Sequence, residues 1–344
     1  MERLNTILLW LLIARSIVAL EEKRHHKKKG VVASSTKKAN NSSSVRIVNG
    51  EPAGGVDRFP WMVSLYNRKD PENILPVCGG SLITPSVVLT AAHCIFSIQS
   101  AEIGRYDYEA NDEVVETFTD IEKRFHPDYE EATFNFDYAL VKLERPHPNP
   151  FLVDLRRTTE VPSELQIMGW GLLEEDGEQP TLLQTAVVSR VFFEDCTQGY
   201  LPEEITENMF CAREDTIDSC QGDSGGPIVV KDTNIQVGVV SWGNGCADPL
   251  FPGVYARSSS GMAWIDETVC NDLAPDECID GRIPIANADG KAIDKTCEDL
   301  DEFIGLGKKL KTRTCEWVGE RPDTRCRWYG DDYCPATCEV ERCE

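Results

Sequence analysis

The sequence contains few cationic residues for its size. Its 344 residues include 35 Lys and Arg against 58 Asp and Glu, a formal net charge of −23. Binding to nucleic acid depends on Lys and Arg that neutralise phosphates and release counterions, so this balance argues against a nucleic-acid partner. Hydrophobic residues make up 41% of the chain, which is enough to bury a core and excludes a disordered protein.

Long apolar runs are also scarce. The one candidate, Ile7–Leu20, is too short to span a bilayer comfortably and is interrupted by Arg15. It is typical of a secretory signal peptide over residues 1–19, cleaved after Ala19, and a signal anchor is the alternative. No other segment stays apolar for 18 residues, so the sequence predicts a secreted protein with no membrane partner.

Charge is unevenly distributed along the chain. Residues 1–46 hold ten Lys and Arg against three Glu, a net charge of +7, whereas residues 47–344 hold 25 against 55, a net charge of −30. The segment 20–46 is basic, contains no aromatic residue and is low in complexity, so we expect a disordered leader. Its Lys and Arg run is either a solvated tail or a binding patch, and composition favours the tail.

Cysteine, by contrast, is abundant. Fourteen cysteines, an even number, indicate disulfides formed in an oxidising compartment. Six of them fall within residues 297–344, where so small a unit needs covalent staples to be stable. Zinc binding there is the less favoured alternative, because no histidine follows His147. Residues 271–296 carry prolines and glycines without periodicity, so we expect a linker.

The segment 47–270 has the texture of an all-β domain. Short β-prone runs alternate with clusters of Gly, Pro, Asn and Asp, which predicts a barrel or a sandwich. A helix with one apolar face is predicted at Ser260–Val269. The predicted strands are Trp61–Tyr66, Ser86–Thr90, Tyr138–Leu143, Leu165–Met168 and Ile235–Ser241.

Three segments carry residues suited to nucleophilic catalysis: LTAAHC around His93, DYAL from Asp137, and DSCQGDSGGP around Ser224. A serine hydroxyl is a weak nucleophile and needs a base, which imidazole supplies near neutral pH, while a carboxylate on the other ring nitrogen orients it. Glycines around the serine permit a tight turn that points two backbone N–H groups at a developing oxyanion. Two other histidines, His126 and His147, stand beside prolines in loop contexts and are expected at the surface.

In the order His, Asp, Ser, these segments resemble the trypsin/chymotrypsin family of serine proteases over residues 47–270. The resemblance implies an all-β fold of two six-stranded antiparallel barrels with a C-terminal helix, and a secreted serine endopeptidase that needs no cofactor. It makes His93 the general base, Asp137 its orienting acid and Ser224 the nucleophile, with the Gly222 and Ser224 amides as the oxyanion hole. A catalytically dead, ligand-binding homologue is the alternative, disfavoured because all three residues are present.

The same resemblance implies the substrate. It places Asp218 at the floor of the primary specificity pocket and Ser241, Gly243 and Gly253 in its walls. A carboxylate in a partly desolvated slot favours a cationic side chain, and wall glycines leave room for a long one. The expected partners are therefore protein or peptide substrates with Arg or Lys at the cleaved bond. Protein protease inhibitors are also expected to bind, and the enzyme is expected to be a monomer.

Activation is expected at the charge boundary. RIVNG resembles the family's activation site, cut between Arg46 and Ile47, after which the new Ile47 ammonium would pair with Asp223 and order the pocket. Because the cut follows Arg, the mature enzyme could activate its own precursor. No metal site is expected, since Arg105 falls where the family's calcium loop has an acidic ligand, although nearby acids such as Asp107 keep calcium as an alternative.

Cysteine pairing follows from the resemblance. The expected bridges are Cys78–Cys94, Cys196–Cys211 and Cys220–Cys246, while a further bridge common in the family lacks both cysteines, at Leu165 and Val230. Cys270 and Cys278 are expected to pair locally. The module 297–344 resembles the ShK-toxin-like domain, which implies the pairs 297–343, 315–334 and 326–338. A recruitment protein whose biological role lies in this module is the alternative to a plain enzyme.

Overall fold

Two antiparallel β-sheets followed by a helix account for most of the described structure. All the described residues belong to the compact unit Val45–Glu344; the unit Met1–Ser44, Arg46 and the expected cysteine-rich module 297–344 lie outside them. The computed structural model describes residues 47, 50–67, 75–110, 114–175, 177–201, 204–287 and 290–293.

Each of the five predicted strands is present within a residue or two of its expected bounds. The strands are β1 Glu51–Pro52, β2 Met62–Tyr66, β3 Cys78–Thr84, β4 Val87–Thr90, β5 Ser100–Ile103, β6 Glu116–Phe118, β7 Ile121–Phe125, β8 Ala139–Leu143, β9 Asp154–Leu155, β10 Glu164–Gly169, β11 Gln184–Val191, β12 Met209–Arg213, β13 Pro227–Val230, β14 Ile235–Trp242, β15 Gly253–Arg257, β16 Ile285–Ala286 and β17 Ala292–Ile293.

The N-terminal sheet is open rather than a closed barrel. Its strand order is β6-β5-β2-β3-β4-β8-β7, and its ends, β6 and β7, are separated along the chain only by Thr119 and Asp120. Both residues are exposed, and the Asp120 amide donates to Glu144 Oε2 at 2.9 Å instead of joining a ladder. The expectation of two six-stranded barrels was therefore wrong for this half, because a polar break splits the strand that would close it.

The C-terminal sheet closes into a six-stranded barrel, as predicted. Strands β10, β11, β12, β15, β14 and β13 pair in a ring, with β1 added to β11 and β9 running parallel to β14. Leu165 on β10 lies directly opposite Val230 on β13, so the two apolar residues expected in place of a family disulfide are neighbours. Ile47 is fully buried in the core of this barrel.

A single long helix, Ser258–Thr268, follows the barrel and continues into a π-helical turn, Val269–Leu273. Its buried face includes Met262 and Ile265, which are 6% and 0% exposed, in agreement with the predicted apolar face. A short helix, Phe193–Cys196, precedes β12, and single 3-10 turns occur at Val56–Arg58, Ala92–Cys94 and Pro275–Glu277. None of the helices among the described residues is long and apolar enough to span a membrane.

Residues 269–287 and 290–293, here called the C-terminal clasp, pack onto the protein instead of forming the expected linker. Leu273, Ile283 and Ala286 are 7%, 3% and 0% exposed and join the core of the N-terminal half. A disulfide between Cys270 and Cys278 closes the first turn of the clasp. Its apolar residues follow neither a helical nor a strand period, which is why composition indicated a linker.

The clasp is also anchored by a partly buried carboxylate, whose side chain is 14% exposed. Glu277 Oε2 accepts from Thr84 Oγ1 at 2.6 Å and from the Ser86 amide at 3.1 Å, and its Oε1 accepts from Ser86 Oγ at 2.6 Å. Arg157 donates to Asp266 on the preceding helix at 2.6 and 3.1 Å and to the Ile283 carbonyl of the clasp at 3.3 Å. These contacts tie the clasp to segments more than 100 residues earlier in the chain.

Candidate active site

His93 lies in a 3-10 turn that directly follows β4. Ala92 and Cys94 on either side are buried, and Cys94 is bonded to Cys78 on β3, so the turn is held by both apolar packing and a disulfide. The histidine itself keeps 23% of its side chain exposed. The sequence-predicted base is thus rigidly mounted with one edge open to solvent.

Asp137 is fully buried and binds His93 at two points. Its Oδ1 accepts from the His93 amide at 3.0 Å, and its Oδ2 lies 2.8 Å from Nδ1 of the ring. A carboxylate only accepts, so Nδ1 carries the proton and Nε2 is left as the basic nitrogen. Ser241 Oγ donates to the same Oδ2 at 2.6 Å.

The hydroxyl of Ser241 makes a contact that the sequence did not predict. The sequence placed it in the wall of the specificity pocket, whereas its hydroxyl, in a side chain 4% exposed, faces the Asp137 carboxylate. The hydroxyl therefore shares the work of stabilising a buried charge. Only three-dimensional proximity reveals this contact, because 104 residues separate the two.

The loop before Asp137 is conformationally constrained. Phe134 and Phe136 have φ of 56° and 53°, in the left-handed region that bulky residues rarely adopt. The ring of His126 stacks on Phe136 with centroids 4.5 Å apart, and its amide donates to the Tyr138 carbonyl at 2.9 Å.

The expectation of a surface His126 was wrong. The residue is 6% exposed, its Nδ1 accepts from the Asp128 amide at 3.2 Å, and burial lowers its pKa. The nearby Phe136 and the distant Trp264 cover a ring that its own sequence context places in a loop.

Ser224 occupies a tight turn between the two halves. Gly222 and Gly225 have φ of 101° and 77°, which a side chain disfavours. A Cβ on Gly225 would lie 2.1 Å from Thr90 Oγ1. The Ser224 carbonyl accepts from the Gly79 amide at 2.8 Å, so this turn of the C-terminal barrel is bonded to β3 of the N-terminal sheet.

The amides of Gly222 and Ser224 donate to no acceptor among the described residues. Two unused neighbouring donors are what an oxyanion needs. In the described structure no hydrogen bond joins Ser224 Oγ to His93, whose Nε2 lies 3.7 Å from Cys94 Sγ. Such contacts are often longer in ligand-free enzymes and tighten when substrate is bound.

Cys78, His93 and Cys94 form the one group of three potential metal ligands found in the described part of the chain. The two sulfurs are bonded to each other and provide no thiolate, so the group does not suit zinc. Arg105, which falls where the family's calcium loop has an acidic ligand, donates to Glu102 Oε2 at 3.1 and 3.2 Å.

Asp218 is the predicted floor of the specificity pocket, here called the slot. It is 3% exposed and accepts from the amides of Ser219 at 2.8 Å and Ala247 at 3.2 Å, and no Lys or Arg of the described residues pairs with it. Burial raises its pKa to about 7. A Cβ on Gly253 would lie 2.6 Å from Asp218 Oδ1, whereas Gly243 has nothing nearer than 3.9 Å. The structure therefore places a buried carboxylate without a cationic partner among the described residues beside a glycine that has no room for a side chain.

Asp223 is buried beside Ser224, the predicted nucleophile. Its carboxylate accepts from the amides of Gly171 at 2.8 Å and Cys220 at 3.0 Å, and burial raises its pKa to about 6. No cation among the described residues pairs with it. The bridges Cys220–Cys246 and Cys196–Cys211 are formed, the first directly adjoining this turn.

Comparison with known proteins agrees with this geometry. The sequence profile of the trypsin family matches residues 47–265. The chain is 35% identical over 240 residues to a vitellin-degrading protease of Bombyx mori, covering 66% of this chain and 87% of that protein. It is 34% identical over 247 residues to a trypsin of Phaedon cochleariae, covering 65% and 88%. With trypsin V-B of Rattus norvegicus the identity is 39% over 201 residues, covering 56% and 80%.

The family match spans more than half of the chain, so the protein belongs to the trypsin family. It is a trypsin-like serine endopeptidase, and it acts on protein substrates.

Proposed function

We propose that this endopeptidase is secreted as an inactive precursor, is activated by cleavage between Arg46 and Ile47, and hydrolyses peptide bonds after Arg and Lys. The observation that carries the specificity is the buried Asp218, which has two amide donors but no cation among the described residues. The signal-like segment 1–19 and the disulfides support secretion.

In the acylation step, His93 Nε2 takes the proton of Ser224 Oγ as that oxygen bonds to the scissile carbonyl carbon. The carbonyl π electrons move to its oxygen, which accepts from the Gly222 and Ser224 amides. Collapse of this intermediate breaks the C–N bond, and His93 gives its proton to the departing amine. Asp137 stabilises the imidazolium through the 2.8 Å contact at Nδ1.

In the deacylation step, the same groups act on water. His93 accepts a proton from a water molecule as its oxygen attacks the acyl carbon, and the oxyanion again accepts from the two amides. The C–Oγ bond then breaks, and His93 returns the proton to Ser224 Oγ. The carboxyl product leaves and the enzyme regains its starting protonation state.

The preference for Arg and Lys follows from the charge of the slot. A guanidinium or ammonium entering it replaces the water that an isolated carboxylate would hold and compensates the charge on Asp218. A Phe side chain leaves that charge buried without a partner. We therefore expect roughly 10²–10³-fold discrimination in kcat/KM, in line with the effect of removing one partner from a buried ion pair.

Activation is proposed to act through Asp223. In the uncut chain, Ile47 carries an amide rather than an ammonium, so it brings no charge to the buried carboxylate. Cleavage after Arg46 would create an α-ammonium on a residue whose side chain is buried in the same barrel core. The new ion pair would hold the 220–226 turn, and with it the oxyanion donors, in the active arrangement.

The specificity test compares amide substrates ending in Arg and in Phe, with the cut enzyme and an Asp218→Ser variant. We expect Arg to be strongly preferred by the parent and the preference to disappear in the variant. Equal rates on both substrates, or an Arg preference that survives Asp218→Ser, would contradict the proposed specificity. A serine-directed phosphonate should label Ser224 in the parent and leave a Ser224→Ala control unlabelled.

The activation test uses the full chain. Sequencing of the active form should begin IVNG, and an Arg46→Gln chain should remain inactive after incubation with the mature enzyme. Full activity of the intact Arg46→Gln chain would refute the proposed switch, while leaving the specificity test unaffected.

A further inference from the structure

Two adjoining hollows lie on the C-terminal barrel beside the helix Phe193–Cys196, outside the site described above. Their volumes are about 300 and 220 Å³, and both are lined by Arg190, Val191 and Phe192. The larger also borders on Arg213, Leu250 and Pro252. The smaller is lined in addition by Ile205, Met209, Phe210 and Arg257. Together they combine cationic side chains with an apolar lining.

Arg190 is the unusual member of this group. Its Nε is buried and has no hydrogen-bond partner, and no carboxylate in the described part of the chain forms an ion pair with its guanidinium. The group lies over the ring of Phe192, 4.6 Å from the centroid. A buried donor without an acceptor is unfavourable in the free protein, so an acceptor supplied by a ligand would be favoured.

A second cation faces the smaller hollow. Arg257 donates to the carbonyls of Thr159 at 2.6 Å and Met209 at 2.9 Å, which are neutral and leave its charge uncompensated. Burial and, to a smaller degree, the charge on Arg190 lower the pKa of Arg257. Two guanidinium groups that repel each other across one hollow create a local demand for negative charge in an otherwise acidic protein.

The rim limits how much negative charge is accepted. Glu194 borders the smaller hollow and Asp195 the larger, where its Oδ1 accepts from Gln198 Nε2 at 2.9 Å. These two carboxylates would repel a polyanion more strongly than a ligand that brings a single negative charge to Arg190. Exposed apolar side chains complete the surface, with Phe192 and Leu250 60% and 69% exposed. The surroundings therefore suit one carboxylate next to one apolar group.

We propose that the two hollows form a secondary binding site, the Arg190 site, for a peptide segment of a protein substrate that carries a Glu or Asp beside an apolar residue. The carboxylate would accept from Arg190, and the apolar side chain would enter the smaller hollow against Ile205 and Met209. This site adds recognition remote from the cleaved bond. It does not rest on the proposed preference for Arg and Lys.

The Arg190 site is separated from the specificity slot by one segment of chain. Pro252 lines the larger hollow, and the next residue, Gly253, adjoins Asp218 in the slot. A long substrate can therefore occupy both places, whereas a short amide substrate reaches only the slot. Binding at the Arg190 site should lower KM for suitable proteins and leave short substrates unaffected.

The test measures binding of a labelled peptide, Gly-Ser-Glu-Phe-Ser-Gly, to the full chain carrying Ser224→Ala. The peptide has no Lys or Arg, so it does not suit the slot above Asp218. We expect binding in the millimolar range or tighter, weakened about 5- to 10-fold when Glu is replaced by Gln or Phe by Ala in the peptide. These changes to the ligand leave the folding of the protein untouched.

On the protein side, Arg190→Gln should weaken binding by a similar factor, and Phe192→Ala, at an exposed position, should do so as well. Arg145→Gln is the matched control, because Arg145 also lies 4.6 Å above a ring, that of Phe118, but is paired with Glu116 at 2.7 Å. Its binding should equal that of the parent. No binding at millimolar peptide, or equal binding by the Arg190→Gln and parent proteins, would overturn the proposal.

Discussion

The buried carboxylate of Asp218, which is proposed to set the specificity, should lower the free energy of unfolding. The Asp218→Asn substitution measures this cost. The side chain is 3% exposed and burial raises its pKa to about 7 from a reference value of 3.8. A raised carboxyl pKa means that the folded state holds its proton more tightly than the unfolded state. Stability is therefore lost as the pH rises from the unfolded pKa to the folded one.

The size of the effect follows from linkage. The ionisation of Asp218 should destabilise the folded protein by about 2 kcal/mol at pH 5 and about 4 kcal/mol at pH 8, and by almost nothing at pH 3. Asparagine has the same shape but does not titrate. The free energy of unfolding of the variant relative to the parent should accordingly grow by about 2 to 3 kcal/mol between pH 5 and pH 8.

The measurement is denaturant unfolding of the full chain at several pH values, with Ser224→Ala in both proteins so that self-digestion is absent. Contributions from altered hydrogen bonds, such as that from the Ala247 amide, shift the two curves by a constant and cancel in the pH dependence. In the active protein the same substitution should remove the Arg preference. A stability difference that stays flat or shrinks between pH 5 and pH 8 would show that the carboxylate is better solvated than its burial implies.

Three further substitutions test other contacts. Ser241→Ala removes the 2.6 Å hydrogen bond to Asp137. It should lower kcat roughly 10- to 100-fold, the value of a hydrogen bond to a charged group, and leave KM nearly unchanged. An unaltered kcat, or a loss equal to that of the control Ser189→Ala on β11, would contradict this role. Gly225→Ala should abolish folding or activity, because its Cβ would lie 2.1 Å from Thr90 Oγ1. The control Gly281→Ala should stay active, because Gly281 has φ of 73° and nothing lies within 4 Å of an added Cβ. Similar losses in both variants would assign the effect to backbone conformation alone. Glu277→Ala should reduce the free energy of unfolding by about 2 kcal/mol or more, since it leaves the Thr84 and Ser86 donors unsatisfied. The control Asp276→Ala, at an exposed position, should change it little. Equal thermal midpoints for the two variants would show that the Glu277 anchor contributes nothing.

Local signals in the sequence were sufficient for the elements that carry chemistry. The strands and turns around His93 and Ser224 depend on short apolar runs and glycines, which are visible in a window of ten residues. The contact between Leu165 and Val230 was also predictable, because apolar residues stand at both positions where the family has the cysteines of a disulfide. The C-terminal helix extends two residues earlier than predicted and keeps the expected buried face.

The remaining features depend on partners that are distant in sequence. The burial of His126 depends partly on Trp264, and the hydrogen bond from Ser241 to Asp137 joins two halves of the chain. The break between β6 and β7 depends on which backbone amides form hydrogen bonds with a neighbouring strand of the curved sheet. Asp120 is of a residue type depleted in strands, but one polar position does not show whether the sheet closes there.

The C-terminal clasp changes where the enzyme ends and its appendage begins. The family profile stops at residue 265, and composition suggests a boundary near 270, yet packing continues to the hairpin of β16 and β17. A truncation at residue 270 would remove the Glu277 anchor and apolar core residues, so lost activity would be misattributed to a missing recruitment module. A truncation after Ile293 keeps the clasp intact. Only that shortened protein can assign a biological role to the cysteine-rich segment separately from the integrity of the protease.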